Sequence, residues 1–178
     1  MNNLIVEFKN VISTELCEDI IENYEHSNHI KDEYEIPKND ILWDKIEKLL
    51  YNVLLENLKN YKRNCFINGD KHSMDVYSKI NRELYTKSFV IKKYNKKSDI
   101  VYKKEINKKN NRYISLYFVF YLNSSDKGGD VILFDDVYIK PEISKLLIFP
   151  DNKDCQIQLP ISNDLYIITG ELSYVIKN

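Results

Sequence analysis

The sequence predicts an α+β domain, with two helices in its front half and an antiparallel, jelly-roll-like β-sandwich behind them. Apolar residues recur at helical spacing in the front half, and short runs of β-branched and aromatic residues dominate after Ser88. The turns between those runs are too short for the crossover helices of a parallel sheet. We expect the 178 residues to form a single domain, with a helical front half at about 1–80 and a β core at about 85–178.

The front half contains one strand candidate and two predicted helices. The stretch from Leu4 to Phe8 is apolar enough for a strand, and Ser13 can cap a helix that we expect from about Thr14 to His26. After a polar loop, Asn39 and Asp40 can cap a second helix. Its apolar face is predicted to consist of Ile41, Leu42, Ile46, Leu49, Leu50, Val53, Leu54 and Leu58. That face should pack on a sheet.

The β core is predicted from apolar runs that are separated by polar turns. The runs are SFVIKKY, NRYISLYFVFYLN, DVILF, SKLLIFP, CQIQLPI and LYIITGELSYVI. Between two of them, Gly128 and Gly129 are expected to form a hairpin turn that needs positive φ angles. Phe149 and Pro150 are expected to close a buried strand.

Composition narrows the possible partners and the compartment. The 26 basic and 27 acidic residues nearly balance, so we expect neither a nucleic-acid nor a membrane partner. Cys17, Cys65 and Cys155 are too few and too far apart for a disulfide framework or a CxxC zinc site, which predicts free thiols. The chain lacks both a long apolar span and a signal-peptide pattern at its start. We therefore expect a soluble, intracellular (cytoplasmic) protein.

A series of short motifs then follows in a fixed order. They are Tyr94-Asn95, Arg112 with Ser115, Tyr121-Leu122-Asn123, Lys127-Gly128-Gly129-Asp130 with Phe134, Pro141 followed by Leu146 to Pro150, Pro160-Ile161, and Ile168-Thr169-Gly170. This succession resembles the prolyl 4-hydroxylase-like branch of the iron and 2-oxoglutarate (2OG) dependent oxygenases. The front stretch FKNVISTELCEDIIENYE is similar to the opening of the same family. The resemblance implies a double-stranded β-helix with the N-terminal helices packed on its major sheet.

The resemblance also implies four chemical positions, and this sequence fills them unusually. In the family, two His and one carboxylate hold Fe(II) and leave positions open for 2OG and dioxygen. Counting from Tyr94, the family tyrosine of the cosubstrate site, places Lys103 and Glu105 on the first two ligands. Counting back from the later Pro-Ile pair places Gln156 on the distal histidine. Leu165 falls on the Arg or Lys that grips 2OG, so that cation is lost.

These substitutions change the chemistry that the positions can support. At neutral pH the Lys103 ammonium has no lone pair, and its charge repels a metal ion. Glu105 can still coordinate, but the Gln156 amide oxygen is a weak ligand for Fe(II). Cys155 could replace it only if the register shifted by one residue, which would turn the side chain to the other strand face. We therefore expect no catalytic residue and no metal ligand.

Two interpretations of Lys103 remain open from the sequence. Lys103 and its neighbours could form a solvated charge run, as most such runs do. Alternatively, Lys103 could enter the former iron site and pair with Glu105, since residues i and i+2 share a strand face. His26, His29 and His72, the last with Asp75 at H-x-x-D spacing, are weaker ligand candidates.

Three functions remain possible. The first is a non-catalytic binding or regulatory module for a protein or peptide partner, with neither Fe(II) nor 2OG as cofactor. The second is a divergent, active hydroxylase that uses Glu105 and requires both Fe(II) and 2OG. The third is a structural or assembly protein, for example in a virus, because jelly rolls also build capsids. The first is the prediction, and the sequence leaves the oligomeric state open.

Overall fold

The computed structural model describes residues 4–27, 33–37, 40–81, 84–86, 88–104, 113–134, 136–150 and 155–174. Within these ranges, three helices pack on one face of a seven-stranded antiparallel sheet. A four-stranded antiparallel sheet packs against the other face. The predicted α+β arrangement with an antiparallel sandwich is confirmed. No helix in these ranges is long and apolar enough to cross a membrane.

The helices begin where side-chain caps are available. They are α1 (Thr14–His26), α2 (Ile41–Asn68) and α3 (Lys71–Ile80). The Ser13 hydroxyl accepts from the Leu16 amide, and the Asp40 carboxylate accepts from two amides at the start of α2. The first two helices are thus confirmed. The third was missed because Gly69, at φ 62°, ends α2 and Asp70 at once caps α3, so a turn signal separates two helices.

The buried face of α2 differs from the predicted one. Its buried residues are Trp43, Ile46, Leu50, Leu54, Leu58, Tyr61 and Cys65. The prediction was wrong for Ile41, Leu42 and Leu49, which are exposed. The buried residues recur every three or four positions and form a narrow stripe, so residues one position beside it point to solvent.

The strands form two sheets. The seven-stranded sheet consists of β1 (Val6–Phe8), β2 (Glu33–Glu35), β3 (Leu84–Thr86), β4 (Val90–Tyr94), β6 (Tyr113–Tyr121), β9 (Leu146–Pro150) and β11 (Leu165–Tyr174), in the order β1-β9-β6-β11-β4-β2 with β3 beside β11. The four-stranded sheet consists of β5 (Tyr102–Lys104), β7 (Val131–Leu133), β8 (Val137–Ile139) and β10 (Gln156–Gln158), in the order β5-β10-β7-β8.

Strand β6 is buried on both faces, which explains its nearly continuous apolar sequence. Leu116, Phe118 and Phe120 belong to the core under the helices. Tyr117 and Tyr121 belong to a second core between the two sheets. We call this second cluster the inter-sheet core.

The Gly128-Gly129 pair connects the two sheets. Their φ angles are 71° and 87°, so the predicted positive φ is confirmed. The predicted hairpin is wrong, because β6 before the pair and β7 after it lie in different sheets and do not pair with each other. Phe149 and Pro150 do end a fully buried strand, as expected.

Candidate functional site at the open side of the sandwich

The inter-sheet core occupies the position where the resemblance implies the chemistry. Its members include Tyr94, Tyr121, Cys155, Ile157 and Leu165, all of them buried. Tyr94 of β4 pairs directly with Leu165 of β11, so the two side chains start on the same face. Leu165 therefore contributes an apolar wall beside Tyr94.

The register between β5 and β10 decides which side chains can meet. Lys103 lies directly opposite Ile157, so both start on the inner face of the small sheet. Gln156 pairs with Lys104 on one side and with Ile132 on the other, and its side chain starts on the outer face. The structure therefore brings Lys103, but not Gln156, to the inter-sheet core.

Gln156, which the resemblance places on the distal histidine position, therefore starts on the opposite face from Lys103. Cys155 and Ile157, on either side of it, are the residues that belong to the inter-sheet core. Counting back from the Pro-Ile pair gives a position along the strand but not the face, and a shift of one residue reverses the face. Cys155, the residue that a register shift of one would put in place of Gln156, belongs to the inter-sheet core.

Lys103 lies on β5, the end strand of the small sheet, and its side chain reaches Tyr94 on β4 of the large sheet. Its Nζ lies 5.2 Å from the centroid of the Tyr94 ring. The same Nζ lies 4.0 Å from Glu33 Oε1, and the Nζ of Lys92 lies 3.6 Å from that oxygen. We call Glu33, Lys92, Tyr94 and Lys103 the rim cluster.

The rim cluster bears on both interpretations of Lys103. The side chain is 48% exposed, yet its ammonium is oriented over an aromatic face and toward a carboxylate. It is therefore not a freely solvated charge. The proposed partner Glu105 lies outside the described residues, so a Lys103–Glu105 pair stays a prediction.

Lys145 is the only charged residue that is buried in the described part of the chain. Its Nζ contacts Glu7 Oε2 at 2.6 Å and donates to the Lys140 carbonyl at 2.8 Å. It also lies 5.8 Å from the Tyr121 ring centroid. This buried cation was not predicted from the sequence, although a lysine immediately before the apolar run LLIFP was the available signal.

The Tyr121 hydroxyl is a buried polar group in the inter-sheet core. It has no hydrogen-bond partner among the described residues. Burial raises its pKa well above the ordinary value, and the nearby Cys155 raises it further. A buried hydroxyl of this kind is stabilised when a water or a ligand atom accepts a hydrogen bond from it.

The described residues do not fit an iron centre of the family type. No group of three or more His, Cys, Asp or Glu lies together in the described ranges. His26 Nδ1 lies 2.8 Å from the Glu22 carbonyl on α1, and His72 lies in the first turn of α3, on the helical layer. Asp75 pairs with Lys79 at 2.6 Å. His29 and Glu105 lie outside the described residues.

Cys155 is the inward side chain nearest in kind to a metal ligand. Its thiol is buried, as are those of Cys17 and Cys65, and none of the three is in a disulfide. A single thiol beside Ile157 and Leu165 does not supply the nitrogen and carboxylate donors that Fe(II) takes in this family.

No family model matches the chain, and no curated protein matches its sequence. Solved structures do match its fold. The viral collagen prolyl hydroxylase vCPH from Paramecium Bursaria Chlorella virus-1 aligns with 97% of this chain and 91% of its own, at TM-score 0.66 and 13% identity. The chain has the prolyl 4-hydroxylase fold. The predicted double-stranded β-helix is thereby confirmed.

Other solved prolyl 4-hydroxylases give the same result. A Pseudomonas putida prolyl-4-hydroxylase aligns with 97% of this chain and 94% of its own, at TM-score 0.60 and 11% identity. A Trichoplax adhaerens prolyl hydroxylase, in complex with a hypoxia inducible factor oxygen degradation domain peptide fragment, aligns with 96% and 84%, at TM-score 0.64 and 16% identity. A second structure of the viral enzyme is a 2OG complex. At these identities the likeness concerns the fold.

Proposed function

We propose that this protein uses the prolyl 4-hydroxylase fold without Fe(II) or 2OG, as a non-catalytic binding or regulatory module. Its ligand is a peptide or a segment of a partner protein. The Trichoplax relative, which holds a peptide fragment, supports the choice of ligand class.

The observation that carries the proposal is the position of Lys103. Its side chain starts on the inner face opposite Ile157, and its ammonium lies beside Tyr94. A protonated lysine has three donors and no free lone pair, and its positive charge disfavours a divalent cation nearby.

The walls near Lys103 add to this argument. Ile157 and Leu165 are apolar, and Gln156 starts on the outer face. A cosubstrate with two carboxylates would find no cation at Leu165 with which to form a charge-assisted pair. The position proposed for the metal, at Lys103, and the position proposed for the cosubstrate, at Leu165, therefore both argue against cofactor binding.

Metal titration tests the proposal directly. Isothermal titration calorimetry with Mn(II), and with Fe(II) under anaerobic conditions, should give no binding at micromolar metal, with or without 2OG. A coupled assay for succinate should give no 2OG turnover above buffer. Stoichiometric metal binding together with 2OG turnover would refute the proposal.

The second candidate, a divergent hydroxylase, is favoured by one observation. The Tyr121 hydroxyl is buried in the inter-sheet core and has no hydrogen-bond partner among the described residues. A carboxylate of a bound cosubstrate could therefore accept a hydrogen bond from it. Under this alternative, wild-type protein binds 2OG in the presence of Mn(II), and Tyr121→Phe weakens that binding. If neither protein binds 2OG, this candidate is excluded.

A further inference from the structure

We infer that the rim cluster binds an acidic side chain of an extended peptide that pairs with β5. In the free protein the Glu33 carboxylate lies in this position, and the peptide carboxylate replaces it on binding. The inference deepens the proposed binding role and rests on it, but it does not depend on the loss of iron.

Two lysines from different sheets converge on one oxygen. Lys92 belongs to β4 in the large sheet and Lys103 to β5 in the small sheet, and both Nζ atoms lie within 4.0 Å of Glu33 Oε1. The Lys92 side chain is only 15% exposed, so its ammonium has little freedom to move away. Two cations held this close need an anion between them. The pair therefore forms a site for a carboxylate, whichever chain supplies it.

Glu33 is a weakly held occupant of this site. Its side chain is 52% exposed, and neither of its two ion pairs is a close contact. Exposed ion pairs of this kind contribute little to stability. Its strand stays in place independently, because the neighbouring Tyr34 packs against the rings of Tyr24 and Trp43. The Glu33 carboxylate can therefore leave while β2 remains docked.

Strand β5 offers an edge for a partner. It is the end strand of the small sheet, and within the described residues it pairs only with β10. Ile100, Val101 and Tyr102 are exposed apolar residues beside the rim cluster. An extended segment that adds to such an edge gains main-chain hydrogen bonds and presents its side chains alternately to the two faces.

Alternation along β5 defines the chemistry of the partner. Lys103 starts on the inner face and Tyr102 on the outer face, and the exposed Ile100 and Val101 come just before the strand. A partner strand would meet the positive charge of Lys103 on the inner face and the apolar surface of Tyr102 on the outer face. The exposed Lys96 adds positive charge in the connection before β5. The complementary ligand is an extended segment with acidic and apolar residues in alternation.

The test uses a fluorescein-labelled peptide of alternating Glu and Val, about six residues long so that it spans β5 and the residues just before it. Binding to the full chain is followed by fluorescence anisotropy at low ionic strength. Glu33→Gln should tighten binding several-fold, because it removes the internal competitor and leaves both lysines. Lys103→Gln should weaken binding by a similar factor. The matching Gln and Val peptide should bind more weakly to all proteins.

Two matched variants separate exchange from a general charge effect. Glu35→Gln removes an acidic residue that lies on β2, as Glu33 does, but outside the rim cluster. Lys140→Gln removes a lysine that follows β8, at the far edge of the small sheet. Each should change the dissociation constant less than Glu33→Gln or Lys103→Gln does, because a charge outside the rim cluster acts on the peptide only at longer range. Circular dichroism checks that every variant is folded.

Three results would overturn the inference. One is equal tightening by Glu33→Gln and Glu35→Gln, another is weakening by Glu33→Gln, and the third is no binding of the acidic peptide by any folded variant. These results are distinguishable from failure of the proposed function. Iron binding with 2OG turnover would refute the non-catalytic proposal and would leave the peptide measurements as they are.

Discussion

Lys103 of β5 and Ile157 of β10 lie directly opposite each other on the inner face of the small sheet. Ile157 is buried, whereas Lys103, at the strand edge, extends over the ring of Tyr94. This arrangement accommodates a lysine on an inward position because the aliphatic stem covers apolar surface and the ammonium reaches the rim. The charge is therefore accessible to a ligand.

Removal of the Lys103 charge should have little effect on stability. An ammonium that stays half exposed to water contributes about 0.5–1 kcal/mol when it lies over an aromatic ring, and an ion pair at this separation contributes less. Lys103→Met keeps the stem, so the free energy of unfolding should change by less than about 1 kcal/mol in urea titration. Lys92→Met serves as the comparison on the other sheet. A loss above about 2 kcal/mol would mean that Lys103 is a structural residue and not a ligand-facing one.

Position 128 should not tolerate any residue with a Cβ atom. A Cβ at this position would lie 2.6 Å from the Leu159 carbonyl oxygen, which belongs to the backbone and cannot rotate away. Gly128→Ala should therefore lower the free energy of unfolding by about 3 kcal/mol or more.

Gly69 provides the matched control, because its φ is also positive but its nearest atoms are 3.8 Å away or farther. Gly69→Ala should cost only the strain of the left-handed backbone, about 1–2 kcal/mol. Thermal and urea unfolding of both variants measure the difference. Equal losses would show that φ alone, and not the approach to Leu159, determines the need for glycine at Gly128.

The ion pair between Lys145 and Glu7 should respond asymmetrically to mutation. The Lys145 side chain is 4% exposed and that of Glu7 is 37% exposed. Glu7→Gln leaves a buried ammonium with only the Lys140 carbonyl and the more distant Glu142, which should cost about 2–4 kcal/mol. Lys145→Met leaves a carboxylate that water can solvate, so the loss should stay below about 1 kcal/mol. Urea unfolding at neutral pH would contradict this account if the order were reversed.

Elements that lie in apolar runs or begin at clear caps could be predicted from the sequence, and short strands outside such runs could not. The run NRYISLYFVFYLN and the caps at Ser13 and Asp40 carry strong local signals. Strands β2, β3, β5 and β8 have three residues each, too few to show a period. In β5 the sequence Tyr-Lys-Lys resembles a charge run, and only its pairing with β10 makes it a strand.

The candidate site was partly predictable for a related reason. Motif spacing located Lys103 and Tyr94, which the structure brings together. It could not reveal which face Gln156 occupies, because that depends on a register between distant strands. Glu33 was not identified, since its contact with Lys103 joins segments that lie far apart in the chain.

The buried thiols should make the protein less stable at alkaline pH. Burial raises the pKa of Cys17 and that of Cys65 from 9.0 to about 11 in the folded state. Between these values the unfolded chain loses both thiol protons while the folded protein keeps them. The stabilisation is therefore fully present below pH 9.0 and is lost as the pH rises toward about 11.

Urea unfolding across this range measures the effect. The doubly substituted Cys17→Ala, Cys65→Ala protein is the control, since it retains every other titrating group. Its free energy of unfolding should be lower at neutral pH because of the small cavities, but it should decline less steeply above pH 9.0. Parallel declines in the two proteins would assign the alkaline sensitivity to other groups, such as Lys93, whose pKa is raised chiefly by its hydrogen bond to Glu25.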